Sequence, residues 1–289
     1  MAFAASVCAL LLASWLLFWI PNVWPGVRYP GVPVKDYISQ SGLMALSAFG
    51  AMVFVFNPAR DRHRRWQIAL VVVLICAMFA NIAYVATSRT TIVVCIALAF
   101  VICARFMTRR YVVGGIAVAG VVLAIGFASS SYLQDRWNQT RAELSATNTQ
   151  NAFETSTGVR IRLLEQSADA FLNAPIMGHG TGAIRAVFEA GAKQGRDQHR
   201  IATSNPHSQL LSVAVQLGLV GVLALAAMWW SHIAVFLRPG FVAGLGLVLV
   251  VQHIVSCQFN SHIADFTQGW LYVFGVGILA PEAAKSSRT

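Results

Sequence analysis

The chain has 289 residues, of which 57% are hydrophobic and 11% charged, and its mean hydropathy is +0.63. One soluble core could not hide so much apolar surface, so the composition excludes a soluble globular protein and indicates an all-α polytopic membrane protein. The formal net charge is +10. No basic stripe alternates with exposed aromatic residues, so nucleic acid is not expected as a partner.

About eight apolar stretches approach the length that a membrane-spanning helix requires. They run from Ala2 to Ile20, Ile38 to Phe56, Gln67 to Ala86, Thr91 to Ala104, Val112 to Ser131, Gln209 to Trp230, Phe241 to Cys257 and Gly269 to Ala280. The fourth and the last are short and need flanking residues to cross a bilayer. The sequence therefore predicts about eight transmembrane helices.

Basic residues in the short loops predict the orientation of these helices. Ten of them fall on one side, which the inside-positive bias makes cytoplasmic. They are Arg60, Arg62, Arg64, Arg65, Arg105, Arg109, Arg110, Arg238, Lys285 and Arg288. The sequence thus predicts transmembrane helices 1–5 in residues 1–131, an outward-facing loop in residues 132–206, and transmembrane helices 6–8 in residues 207–289.

A very short turn, Thr87 to Thr90, joins the third and fourth stretches on the outward side. Its arginine, Arg89, has little freedom to move away from the hydrocarbon boundary. An unpaired charge is costly there, and the pyrophosphate of a lipid would be a natural counter-ion. The alternative is that Arg89 only anchors the turn at the interface.

In the long loop, Gly158 to Asn173 has apolar residues at helical spacing, with Ser156 or Thr157 as its cap. This pattern predicts an amphipathic helix at the membrane surface. Arg160 and Arg162 lie in its first turn, about 200° apart on a helical wheel, so at most one points straight into a shared site. Arg160 is favoured because Leu164, one turn later, continues its stripe toward the apolar side.

The helix is expected to end at Pro175, which opens the glycine-rich sequence PIMGHGTGAI. Such a turn can bring backbone N–H groups close to a ligand, although glycine clusters commonly mark only a tight bend.

The sequence NPHSQ precedes the sixth apolar stretch. Asn205 is predicted to cap this helix, with Pro206 at its first position and His207 within its first turn. The positive end of the helix dipole disfavours imidazolium, so His207 is expected to be neutral and able to act as a general base. The alternative is a histidine that only hydrogen-bonds nearby backbone.

These motifs together resemble the O-antigen ligase and O-antigen polymerase superfamily over roughly Thr87 to Trp270. The shared elements are the turn at Arg89, the R-x3-L element from Arg160 to Leu164, the stretch NAPIMGHGTG, and an H-[NSQ]-x9-G-x-x-G element at His207, Ser208, Gly218 and Gly221. The last element is the most specific and is most similar to the ligase branch. The segment NSHIADFTQGW also resembles the region before the final span of such ligases.

The resemblance implies a metal-independent, inverting glycosyltransferase in the bacterial inner membrane, with its active site facing the periplasm. It would move an O-antigen glycan from undecaprenyl pyrophosphate to lipid A-core, surrounded by membrane lipids and without a cofactor, because the donor is already activated. Its residues would take these roles: His207 as catalytic base, Arg89 and Arg160 as pyrophosphate-binding residues, and Arg162, Arg185 and Asp265 as supporting residues.

In a continuous helix, Gly218 would lie about three turns beyond His207 and roughly 16 Å deeper in the bilayer. At that distance it would not contact the reacting groups. Gly218 is instead expected to let a neighbouring helix pack closely, with Gly221 on the same small-residue surface.

Other functions remain open. An O-antigen polymerase or a protein O-oligosaccharyltransferase would use the same donor with a different acceptor. A transporter of lipid-linked glycans would be expected to show intramembrane acidic residues or broken spans. A metal site formed by His207, His253 and His262 is conceivable, but no ligand spacing supports it.

Overall fold

The computed structural model describes residues 2–20, 29–57, 65–106, 156–193 and 201–285, together with a few isolated residues between 128 and 142. Within these residues the chain forms helices, turns and loops, and no strand. The helices are α1 (Ala2–Trp19), α2 (Tyr37–Val55), α3 (Arg65–Tyr84), α4 (Arg89–Phe106), α5 (Ser156–Asn173), α6 (Ile184–Lys193), α7 (Gln209–Phe236), α8 (Phe241–Cys257) and α9 (Phe266–Lys285). A 3₁₀ turn at His262–Ala264 precedes α9.

Five of these helices, α1, α2, α3, α4 and α7, are long and apolar enough to cross a membrane. The prediction of an all-α, multi-pass membrane protein is therefore confirmed. Helix α4 reaches 18 residues because Arg89 and Phe106 extend the short apolar stretch. Helix α8 is apolar but has only 17 residues, and α9 carries polar residues at both ends.

The predicted fifth span, Val112 to Ser131, lies outside the described residues except for Ala128. The same holds for most of the basic residues used to predict orientation: Arg60, Arg62, Arg64, Arg109, Arg110 and Arg288.

The chain forms two compact units. The first comprises Met1–Gln134, Ile233–Val255 and Leu271–Thr289, and the second comprises Asp135–His232 and Ser256–Trp270. In the first unit, buried apolar side chains of α1, α2 and α3, among them Leu11, Met44 and Met78, pack together.

A buried polar cluster joins three helices of the first unit. The Gln40 amide donates to Ser14 Oγ at 2.8 Å and to Asn81 Oδ1 at 3.1 Å, and Asn81 Nδ2 donates to Ser14 Oγ at 2.7 Å. Ser14 Oγ in turn donates to the carbonyl of Gly31 at 2.6 Å. Polar side chains are costly in an apolar interior unless they are paired, so this cluster fixes the register of α1, α2 and α3 at one end.

In the second unit, helices α5 and α6 and the first part of α7 surround an apolar core. It consists of Leu163, Ala170, Ile184, Phe188 and Val215. The amphipathic helix predicted for Gly158 to Asn173 is confirmed, and it begins at Ser156. The side chains of its two predicted caps lie outside the described ones.

Helix α7 is broken at Gly218, where φ is 62° and ψ is −154°. The segment 175–182 lies against this break. Leu219 N donates to Pro175 O at 2.8 Å, and Val220 N donates to Ile176 O at 3.3 Å. These bonds satisfy backbone groups that lose their helical partners at the break, as an interrupted membrane helix requires.

The break corrects the prediction that Gly218 lets another helix pack closely. A Cβ at position 218 would collide with the backbone of Ile176 and Gly178, so the close neighbour is the 175–182 segment rather than a helix. The positive φ gives a second reason for glycine, because side chains are strained in that conformation.

Candidate functional site

His207 lies just before helix α7 rather than within its first turn. Its φ is 54°, in the left-handed region, and its backbone N–H donates to Asn205 Oδ1 at 2.9 Å. Ser208 is the helix cap, since its Oγ accepts from Leu211 N at 3.4 Å. The prediction that Asn205 caps the helix and Pro206 begins it is therefore wrong. Asn205 instead forms a local turn that holds His207 outside the helix.

The loop before α9 completes the surroundings of His207. Asn205 Nδ2 donates to Asn260 Oδ1 at 3.0 Å, and Ser261 Oγ donates to Asn205 Oδ1 at 3.0 Å. Gln209 Oε1 accepts from the backbone N–H of Ile263 at 3.0 Å. Side chains on both sides of His207 are thus tied to the same loop, which fixes the position of the histidine.

The environment of His207 favours its neutral form. Burial lowers the pKa of His207 below its ordinary value of 6.5, and the positive charge of Arg160 lowers it further. A hydrogen bond with the Asn260 side chain acts in the opposite direction and raises the pKa. This direction agrees with the expectation of a neutral imidazole, and its causes here are burial and the charge of Arg160.

The structure places Arg160 and Arg162 in the second turn of α5, because the helix begins at Ser156, and the two arginines have different environments. Arg160 is half-buried and close enough to His207 to affect its pKa. Arg162 is buried, with 7% of its surface exposed. The structure therefore brings Arg160, the favoured arginine, together with His207.

The other two supporting candidates in this unit have structural partners. Arg185 Nε forms an ion pair with Glu189 Oε1 at 2.8 Å on the exposed side of α6. Asp265 Oδ1 accepts from the backbone N–H groups of Thr267 and Gln268 at 3.0 and 3.1 Å, and so caps the start of α9.

Arg89 belongs to the first unit and is the first residue of α4. Its side chain is exposed. The turn before it is held by Thr87 Oγ1, which donates to the carbonyl of Ile82 at 2.8 Å, and α4 is tied to α2 by the Ser41–Thr91 hydroxyl pair at 2.7 Å. A guanidinium beside a helix N-terminus favours an anion, because both carry positive charge.

The glycine-rich 175–182 segment does not offer its amides to a ligand as the sequence suggested. His179 N donates to Val215 O at 2.9 Å, Gly180 N to Gln216 O at 2.9 Å, and Gly182 N to Gln216 Oε1 at 2.6 Å. Gly178 N donates to Ala174 O at 3.0 Å. The amides of His179, Gly180 and Gly182 hold the segment against α7, and that of Gly178 closes a turn with Ala174.

One feature expected of a transporter, a broken span, is present in α7. In transporters the ends of such broken helices face a substrate. Here the amides of Leu219 and Val220 are bonded to the 175–182 segment, so they face protein backbone. In the part of the chain that the structure describes, no three His, Cys, Asp or Glu side chains are grouped closely enough to hold a metal ion.

The fold and the candidate site define a multi-pass helical membrane protein with a half-buried histidine and a half-buried arginine near the start of its helix α7. The sequence profile of the O-antigen ligase family matches residues 78–226, which is more than half of the chain. The chain belongs to this family. The matched region includes Arg89, Arg160, His207 and Gly218.

The chain is also similar to a protein from Haemophilus influenzae that is described only as uncharacterized. The two are 20% identical over 234 residues, which cover 76% of this chain and 58% of that relative. The chain therefore spans less than two thirds of the relative's length.

Two features of the site were missed by sequence reasoning. Asn260 was noticed only as part of the segment NSHIADFTQGW, because nothing in the local pattern indicates that it meets Asn205 across 55 residues. The left-handed conformation of His207 was also missed. An Asn two residues before a histidine is a recognisable turn signal, but the Pro between them suggested a helix start instead.

Proposed function

We propose that this chain transfers a glycan from undecaprenyl pyrophosphate to a sugar hydroxyl of lipid A-core. The proposal places the reaction on the periplasmic face of the bacterial inner membrane. The observation that supports it is that Arg160 lies near enough to the half-buried His207 to lower its pKa, which favours a neutral imidazole close to a guanidinium. A proton acceptor beside an anion-binding group suits the displacement of a pyrophosphate by a hydroxyl.

In the proposed reaction, the acceptor oxygen attacks the anomeric carbon of the donor while the bond from that carbon to the pyrophosphate oxygen breaks. The bonding electrons leave with undecaprenyl pyrophosphate, and the acceptor proton passes to the imidazole of His207. A single displacement inverts the configuration at the anomeric carbon. No cofactor is required, because pyrophosphate is already a good leaving group.

Arg160 would have two effects on this chemistry. Its guanidinium holds the pyrophosphate and stabilises the negative charge that develops as the bond breaks. The bound anion also offsets the positive charge that otherwise lowers the pKa of His207. Donor binding therefore makes the imidazole a stronger base at the moment when it must accept a proton.

Asn260 would orient the imidazole. Its Oδ1 already accepts hydrogen bonds from Asn205 Nδ2 and from Ser261 N at 3.1 Å, so its own position is fixed. A hydrogen bond between the Asn260 side chain and one ring nitrogen of His207 would hold the orientation of the ring and leave the other nitrogen free to take a proton.

Arg89 would be the second pyrophosphate-binding residue. This role is supported by its exposed position at the start of a membrane-spanning helix, where the helix N-terminus adds to the attraction for an anion. Asp265 would support the site by capping the start of α9, and Arg162 would support it from its buried position in α5, whereas the ion pair of Arg185 with Glu189 gives it a surface role.

The proposal is tested by supplying purified protein with a defined lipid-linked donor and each of three acceptors. Transfer to lipid A-core is expected in this assay. In cells, a deletion strain is expected to lose the ladder of long lipopolysaccharide bands. Elongation of a second lipid-linked glycan would instead indicate a polymerase, and transfer to serine or threonine a protein O-oligosaccharyltransferase. Activity is expected to persist in excess EDTA. A loss of activity in EDTA that added magnesium, manganese or zinc restores would contradict a metal-independent reaction.

A further inference from the structure

The exposed side of helix α5 consists of two adjacent stripes with different chemistry. One stripe is apolar and contains Leu164, Ala168 and Leu172, of which the two leucines are 47% and 72% exposed. The other is polar and is formed by the residues that directly follow them: Glu165, Asp169 and Asn173. A helix with this arrangement lies along a boundary between an apolar phase and water.

The apolar stripe continues past the end of α5 into the 175–182 segment. Ile176 and Met177 expose 66% and 70% of their surface. The backbone hydrogen bonds of Pro175 and Ile176 attach this segment to α7 at Leu219 and Val220, which are 49% and 53% exposed. The apolar side chains of the loop therefore adjoin a lipid-facing part of a membrane-spanning helix.

The length of α7 places this attachment near the edge of the hydrocarbon. Its 28 residues extend over about 42 Å at a rise of 1.5 Å per residue, whereas the hydrocarbon core is about 30 Å thick. Counting about 20 residues back from Phe236, which lies two residues before Arg238, ends at about Leu217. The break at Gly218 is thus close to the boundary, and residues 209–217 extend beyond it.

We propose that these exposed side chains form a membrane-contact surface that lies among the acyl chains of the leaflet away from Arg238. The surface consists of Leu164, Leu172, Ile176, Met177, Leu219 and Val220. The 175–182 segment can enter this region because four of its amides, those of residues 178, 179, 180 and 182, are already hydrogen-bonded within the protein, as irregular backbone at membrane depth requires. The acidic residues Glu165 and Asp169 remain on the water side.

This inference goes beyond the proposed glycan transfer and does not depend on it. Its structural consequence is that the bilayer itself fixes the height of α5. Because Arg160 is part of that helix, the membrane-contact surface keeps its guanidinium at a constant distance from the membrane boundary.

The test uses the full-length protein in native membranes, with a photo-crosslinking amino acid placed singly at Leu172, Ile176 or Met177. These side chains are largely exposed, so a bulky replacement fits, and three positions keep the test open if one variant fails to fold. Asp169 is the matched control, because it lies on the same helix in the adjacent polar stripe.

Lipid adducts, identified by mass spectrometry after irradiation, are expected at the three apolar positions and only at background level at Asp169. Equal lipid labelling at Asp169 would overturn the proposal. It would also be overturned if the three positions crosslinked to a second copy of this chain or to another protein, or if they gave no lipid adduct in variants that retain wild-type abundance and thermal stability.

Discussion

The first part of α7 begins at Gln209 and ends at Gly218, and different kinds of hydrogen bond hold its two ends. Both ends belong to one sequence motif, His207 to Gly221. At the Gln209 end, the side chains of Asn205, Asn260 and Ser261 bond to one another and hold an imidazole. At the Gly218 end, backbone groups bond to backbone groups of the 175–182 segment. In this motif His207 therefore provides the candidate catalytic group, whereas Gly218 allows the break in the helix.

The largest effect is expected from His207→Asn, which should reduce transfer by about 100-fold or more because the proton acceptor is lost. Asparagine is the sharpest replacement, since it tolerates the left-handed conformation that His207 adopts. The variant should therefore lose activity while keeping its thermal stability. His179→Gln, in the same unit, is the control and should retain activity. Near wild-type transfer by purified His207→Asn would remove His207 as the base.

Gly218→Ala is expected to lower the thermal stability of the protein, in contrast to His207→Asn, which lowers only its activity. A φ of 62° with a ψ of −154° is a conformation almost restricted to glycine and costs a side chain about 1–3 kcal/mol, and the collision with the backbone of Ile176 adds to this. Two controls separate these causes. Gly180→Ala has the positive φ without any neighbour within 4 Å, and Gly277→Ala has neither. Thermal unfolding in detergent should rank Gly218→Ala lowest, then Gly180→Ala, then Gly277→Ala; equal values for the first and last would contradict the break.

Sequence reasoning succeeded where the signal is local or compositional. The apolar stretches predicted α1 to α4 and α7, and helical spacing predicted α5, because burial of apolar surface dictates both patterns. The roles of His207 and Arg160 also came from local motifs; the two residues lie near each other in the second unit, and their roles stay predictions.

The rest depended on contacts between residues far apart in the chain. The spacing of eleven residues from His207 to Gly218 predicts three regular helical turns, but the helix begins only at Gln209 and breaks at Gly218. A pattern of helical spacing does not show that a helix is broken and that its freed amides are hydrogen-bonded to another segment. Here the carbonyl groups of Pro175 and Ile176 accept those hydrogen bonds. The glycines of the 175–182 segment were misjudged for the same reason.

A smaller effect, about tenfold or more, is expected from Arg89→Lys in a purified transfer assay. Lysine keeps the charge but loses the planar, paired hydrogen bonds that a guanidinium makes to a phosphate. Arg65→Lys is the matched control, because Arg65 is also an exposed first residue of a membrane-spanning helix, α3. Full activity of both variants would show that Arg89 acts only as an interfacial anchor.

The smallest effect concerns the coupling between Arg160 and His207, and it appears in the pH profile rather than in the maximum rate. A general base must be neutral, so kcat/KM should fall as the pH drops through the pKa of His207 in the free enzyme. Arg160→Gln removes the charge that helps to lower this pKa, so the pKa should rise and kcat/KM should begin to fall at a higher pH than in the wild type. The shift is partial, because burial, the larger cause, remains.

Arg185→Gln is the control for that pH profile, since Arg185 is paired with Glu189 on the exposed side of α6 and should leave the profile unchanged. Because Arg160 is also expected to bind the donor, Arg160→Gln should lower the rate at every pH, and only the position of the acidic limb reports the coupling. NMR titration of His207 in the absence of donor gives the same quantity without any turnover. A pKa that stays the same or falls in Arg160→Gln would mean that the guanidinium does not act on the imidazole, and the anion-dependent increase in basicity would then have no physical basis.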